Sequence, residues 1–92
     1  MKIYIRMFGR FKHQLWERKE VEVKEGVTPV EVLRKMITIH SEGYSAIFDE
    51  QDRIRNHIIL MINQKRISHA NSASVLLKEA DELAVLPPVA GG

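Results

Sequence analysis

The sequence has no cysteine, three prolines, five glycines and a single tryptophan. Without cysteine there is no disulfide framework, thiolate zinc site, iron–sulfur cluster or side-chain thiol nucleophile. A small domain lacking such staples suits a reducing compartment, and a cytoplasmic location is expected. Long apolar runs are also missing. The longest, Ile58 to Ile62, falls far short of the ~20 residues that span a bilayer. No positively charged segment leads into an apolar stretch at Met1, so neither a signal peptide nor a membrane partner is expected. An excess of one charge is absent too: 14 Lys and Arg face 12 Asp and Glu, for a net charge of +2.

At 92 residues and 45% hydrophobic content the chain accommodates one globular domain with a thin core. The basic residues Arg6, Arg10, Lys12, Arg18 and Lys19, near Phe8, Phe11 and Trp16, form the one cluster that could meet phosphates and bases. A solvated strand face followed by a loop explains the same residues, and nucleic acid is not expected as a partner.

Lys2 to Phe8 alternate with period two, placing Ile3, Ile5 and Met7 on one face and Tyr4, Arg6 and Phe8 on the other. Gly9 to Arg18 breaks this pattern and reads as a loop. Lys19 to Lys24 alternates again, with Val21 and Val23 inward, which predicts an antiparallel hairpin with a long connection. Helix signals follow. Thr28 is an N-cap, Pro29 suits the first helical position and Glu31 completes a capping box. Val30, Leu33, Met36 or Ile37, and His40 line one face, and Gly43 is the expected stop. Tyr44 to Asn56 reads as a loop anchored by Ile47, Phe48 and Ile54.

His57 to Ile62 is a dense apolar strand, Asn63-Gln64 a turn and Lys65 to Ile67 a short return strand. Ser68 to Ser74 reads as a loop, Val75-Leu76-Leu77 as a buried anchor and Lys78 to Asp81 as a turn. Glu82 to Leu86 is the last strand, with Leu83 and Val85 inward and Ala84 and Leu86 outward. The expected fold class is α+β, a mixed four- to five-stranded sheet with one main helix packed on one face. If the last strand lies parallel beside the first, the arrangement is a β-grasp. The expected division is residues 1–86 as the folded domain and 87–92 as a flexible tail.

Ordinary catalytic constellations are missing. There is no glycine-flanked serine elbow, phosphate-binding glycine loop or histidine–glutamate zinc motif. His13, His40, His57 and His69 lack metal-ligand spacing, and no metal site is expected. Asp49, Glu50 and Asp52 read as solvated loop carboxylates. The chain end is chemically more suggestive. Pro87-Pro88 favours extended geometry, and Val89, Ala90, Gly91 and Gly92 taper to bare backbone. Such a peptide fits a narrow tunnel and presents its α-carboxylate there, where ATP could convert it to an acyl adenylate. The dipeptide alone is equally compatible with a frayed terminus.

Asp81-Glu82-Leu83-Ala84-Val85-Leu86 followed by Pro87 to Gly92 resembles the end of the ubiquitin-like sulfur carriers of the MoaD and ThiS type. The likeness is strongest to the small subunit of molybdopterin synthase, and archaeal small modifier proteins resemble the chain about as well. It also covers the first strand ending in Met7-Phe8, the helix start Val27 to Leu33, and the apolar strand running into Asn63-Gln64. It supports the β-grasp (ubiquitin-like) fold.

The resemblance implies a protein that is not catalytic alone and binds no cofactor of its own. A ubiquitin-activating-type adenylating enzyme would use Mg-ATP on the Gly92 carboxylate, and a persulfide sulfur donor would leave a thiocarboxylate. Pro87, Pro88, Val89, Ala90 and Gly91 would occupy partner tunnels, including that of the molybdopterin synthase large subunit. Transfer to tRNA or thiamine, or conjugation to target-protein lysines, are alternatives, as is a non-catalytic β-grasp binding module. Phe8 and Leu86, at positions where relatives carry apolar residues, would form a partner interface at the root of the tail. The plainer alternative is two ordinary surface hydrophobes.

Arg66, standing where some relatives use an apolar contact residue, would tune partner choice. Two departures from the family pattern predict local differences. Asn63-Gln64 lacks the usual turn glycine, which predicts a looser or longer hairpin. Ala80 replaces a glycine, which argues against a left-handed conformation there.

Overall fold

A computed structural model describes residues 1–88, so the expectations that fall on Val89, Ala90, Gly91 and Gly92 lie outside the described residues. The first alternating segment forms strand β1 (Lys2–Met7). Ile3, Ile5 and Met7 are fully buried on its inner face, each burial stabilising the fold by about 1.5–3 kcal/mol. Strand β2 (Arg18–Glu22) pairs antiparallel with β1, Ile3 opposite Val21 and Ile5 opposite Lys19.

Between them the expected loop contains a short helix, α1 (Phe11–Gln14). Its signal has no period: Phe11 is completely buried, and docking that one ring draws the connection onto the core.

Helix α2 (Pro29–Ile37) starts where its sequence signals place it. Thr28 Oγ1 accepts the Glu31 N–H at 3.3 Å, and its hydroxyl donates to Glu31 Oε1 at 2.9 Å. The carboxylate therefore accepts the hydroxyl's hydrogen bond instead of one from the Thr28 backbone, a variant of the reciprocal box with an N-cap worth about 1 kcal/mol. The buried face is Pro29, Val32, Leu33 and Ile37, rotated from the expected stripe through Val30 and His40.

Gly43 does not end this helix. α2 stops at Ile37, where β-branched Thr38 and Ile39 follow, and Gly43 lies within helix α3 (Ser41–Ile47). Ile47, Phe48 and Ile54 are buried as expected.

Strands β3 (Ile59–Ile62) and β4 (Lys65–Ile67) form the next hairpin. Its turn is not loosened by the missing glycine. Ile62 pairs directly with Lys65, and Asn63 and Gln64 both take positive φ, +50° and +70°, the conformation of a tight two-residue turn.

Asn63 tolerates this because its side chain is anchored. Nδ2 donates to Asp81 Oδ1 at 2.8 Å and Oδ1 accepts the Glu82 N–H at 2.9 Å. Ala80 also adopts the left-handed conformation that its side chain argued against, with φ +69°. Its N–H bonds Lys2 O at 2.7 Å and so fixes the turn against β1.

The segment read as loop after Ile67 holds helix α4 (His69–Ser72), capped by Ser68. Of the expected anchor Val75-Leu76-Leu77 only Leu77 is buried.

Strand β5 (Glu82–Leu86) completes a five-stranded sheet of order β2-β1-β5-β3-β4. β5 runs parallel to β1 and antiparallel to β3. The last strand of the chain is thus central. With ladders on both sides, Leu83 and Val85 are inaccessible and even outward-facing Ala84 is buried. The core lies between the sheet and the helices on one side. Among the described residues no helix is long and apolar enough to cross a membrane.

Candidate functional site

The chain leaves the centre of the sheet at Leu86-Pro87. Met7 pairs with Val85, so Phe8 and Leu86, the next residues of two parallel neighbours, stand side by side at the root of the tail. The Phe8 N–H donates to Val85 O at 3.1 Å and holds this register one residue past β1. Leu86 is also paired with Ile59 on its other side. Pro87 has no N–H to continue a ladder, and Pro88 is exposed.

Paired residues project to the same side, so the register defines the face away from the helices. One row crosses the whole sheet: Arg18, Arg6, Ala84, Met61 and Arg66. Beside it lies the apolar row Phe8, Leu86 and Ile59. Phe8 and Leu86 are half-buried rather than fully open. The Arg6 guanidinium lies 5.1 Å from the centre of the Phe8 ring, covering part of it with a cation held by the ring face. Arg66 is exposed on edge strand β4, opposite Met61.

Arg6 and Arg18 stand directly opposite one another, a pairing that like charges disfavour. The repulsion is relieved on the Arg18 side. Its Nε lies 3.3 Å from Glu82 Oε2, and its guanidinium is 4.2 Å from the Tyr4 ring centre. The site is therefore an apolar strip bordered by three arginines, with Leu86 leading into Pro87 and Pro88 at its centre.

The structure brings Phe8, Leu86 and Pro87 together and puts Arg66 on the same face. Arg6, Ile59 and Met61 share that face but were not singled out as part of the tail-root surface. Alternation shows that Arg6 points outward, but only the pairing of β3 with β5 brings Ile59 and Met61 beside it.

The basic cluster does not form one patch. Arg6 and Arg18 lie on the open face, whereas Lys19 pairs with inward Ile5 and stands 4.4 Å from the Trp16 ring centre. Arg10 lies over Phe11, and Lys12 is 3.9 Å from Glu17.

Of the acidic trio Glu50 is exposed, whereas Asp49 and Asp52 are not merely solvated. Asp49 Oδ1 accepts the N–H groups of Gln51 and Arg53 at 2.8 and 3.0 Å. These bonds, the Arg53 N–H foremost, hold its carboxyl below the usual range. Asp52 accepts the Tyr44 hydroxyl at 2.6 Å, which raises the phenol above its ordinary value. Both carboxylates build the loop after α3. His69 Nε2 lies 2.6 Å from Ile58 O, His40 meets Trp16 edge-on, and His13 and His57 are exposed.

A central parallel pair of β1 and β5, with a helix between them in sequence packed on one face of the mixed sheet, defines a ubiquitin-like β-grasp protein. The solved fold of SAMP1 from Haloferax volcanii superposes with a TM-score of 0.86 at 22% identity, over 100% of both chains. The ThiS family matches residues 5–92, and the chain belongs to that family of ubiquitin-like sulfur carriers and modifiers.

Among curated proteins it is 35% identical over 75 residues to the molybdopterin synthase sulfur carrier subunit of Drosophila melanogaster, covering 82% of this chain and 72% of that one. It is 25% identical to small archaeal modifier protein 3 of Haloferax volcanii over the full length of both.

Proposed function

We propose that this protein is a sulfur carrier acting through the Gly92 carboxylate, most specifically for molybdopterin synthesis. The observation that carries the reading is that the central strand ends at Leu86 in an apolar strip bordered by arginines, and the sequence PPVAGG follows it directly.

The chemistry follows from the terminus. A carboxylate is a poor electrophile. An activating enzyme with Mg-ATP would form the acyl adenylate and release pyrophosphate. The terminal sulfur of a persulfide would displace AMP, and a thiol would cleave the resulting acyl disulfide to leave the thiocarboxylate. The chain itself supplies the acyl group, a side-chain-free peptide that a tunnel can admit and the docking surface around Phe8, Leu86 and Arg66. The molybdopterin synthase large subunit is the proposed receiver, a reading supported by the 35% identity to a sulfur carrier subunit of that enzyme.

Intact mass spectrometry after incubation with a cognate activating enzyme, ATP and a sulfur donor tests this. The expected result is the mass gain of one sulfur replacing one oxygen, abolished by deleting Gly91-Gly92. No gain in the full chain overturns the reading. A second reading, conjugation through Gly92 to lysines of other proteins, is favoured by the end-to-end likeness to a small archaeal modifier protein. It predicts that after tryptic digestion target lysines carry the branch of residues 79–92, joined through Gly92, because Lys78 is the last basic residue before that glycine.

A further inference from the structure

Where the tail begins, the chain is seated on a residue from the other end of the sequence. Gly9 has φ +58°, and a β-carbon built on it would lie 2.7 Å from Pro87 Cγ and 3.3 Å from Pro87 Cδ. Two separate physical facts thus disfavour an ordinary side chain there. The left-handed backbone disfavours any β-carbon, and the proline ring fills the volume it would need.

The seat itself is fixed. Phe8 N–H donates to Val85 O at 3.1 Å, Phe11 N–H donates to Phe8 O at 3.2 Å, and Lys12 N–H donates to Gly9 O at 3.2 Å. Pro87 has no N–H for a ladder, so beyond Leu86 ring packing replaces hydrogen bonding as the means of holding the chain's course.

We infer that Gly9 is a positioning residue: the notch left by its missing side chain seats Pro87 and sets the direction in which the tail leaves the sheet. This rests on the reading of Gly92 as the reacting end. Five residues follow Pro87 in the sequence, a length that would span about 15 Å if extended, so a modest rotation at Pro87 would move the far end by several ångströms. A tail already aimed loses less freedom on entering a partner's tunnel. Once inside, its geometry is set by the partner. Gly9 therefore affects capture of the tail and leaves the chemical step alone.

Three variants separate the causes. Asn tolerates positive φ but carries a β-carbon, so Gly9→Asn isolates the collision with Pro87, while Gly9→Ala adds backbone strain. Pro87→Ala removes the ring from the seat. ATP–pyrophosphate exchange with a cognate activating enzyme is measured against carrier concentration, with each variant confirmed folded by circular dichroism.

Gly9→Asn is expected to raise KM about tenfold with kcat unchanged. Pro87→Ala should give a similar rise, and the double variant no further one, because both act at one contact. An unchanged KM in Gly9→Asn, or additive losses in the double variant, overturns the inference.

A nuclear Overhauser contact between Gly9 Hα and the Pro87 ring reads the seat without any enzyme, and its absence also overturns it. Lack of exchange with the unaltered chain would instead count against the Gly92 reading, leaving that contact to decide the seat.

Discussion

Leu15 occupies the space that a side chain at Gly43 would need: a β-carbon there would lie 2.2 Å from Leu15 Cδ2 and 2.6 Å from Cγ. The missing side chain lets the α1 segment close against α3, with Gly43 buried at the contact. Gly43→Ala should be destabilising although alanine is the better helix former. Overpacking costs about 1–3 kcal/mol against about 1 kcal/mol of propensity gained. Urea denaturation should show a lower midpoint, partly restored by adding Leu15→Ala. A gain in stability from Gly43→Ala alone would refute the packing argument.

Ala80 holds φ +69°, where a β-carbon costs about 1–2 kcal/mol. Ala80→Gly should therefore stabilise the fold by about 0.5–1 kcal/mol after the glycine's greater unfolded-state entropy is subtracted. The midpoint of chemical unfolding should rise.

Asn63 joins the β3–β4 turn to the start of β5 through its bonds to Asp81 and Glu82. Asn63→Ala loses both bonds and strains the backbone, an expected cost of about 1–3 kcal/mol. Asn63→Gly keeps the backbone conformation and loses only the bonds, so it should lie between the two in thermal melts. Equal stability of all three would remove the anchor from the account.

The loop after α3 should respond to pH in two opposite ways. The Asp49 carboxyl is held below its ordinary value, mainly by the Arg53 N–H. Its contribution is present above the ordinary carboxylate range and is lost as pH falls through its depressed value. Acidification should destabilise the unaltered chain more than Asp49→Asn.

Tyr44 is raised, chiefly by its bond to Asp52. That contribution is present below about pH 10 and is lost as pH rises through the elevated value. Tyr44→Phe should be less sensitive on the alkaline side. Parallel acid limbs for the unaltered chain and Asp49→Asn would show that the carboxyl does not hold the loop.

The contrast between these residues marks how far the sequence could be read. The inward side chains of β1 and the Thr28 cap follow from spacings of two and three residues, so they were legible. Phe11 was not, because one buried ring has no period. The signal at Gly43 is ambiguous because glycine serves both for helix ends and for close packing, and only the presence of Leu15 distinguishes them. The turn at Asn63 appeared looser than it is because the bonds that hold it come from residues 18 and 19 positions later.

By itself the sequence determined the strand faces and the start of the main helix, since each is written in neighbouring residues. Tertiary structure decided which strand became central and what stands beside Leu86 and Pro87. Pairing β1 with β5 closes a long loop whose reward is buried surface from the whole sheet. No local pattern records that balance, and it alone brings Phe8 next to Leu86 and Gly9 beneath Pro87.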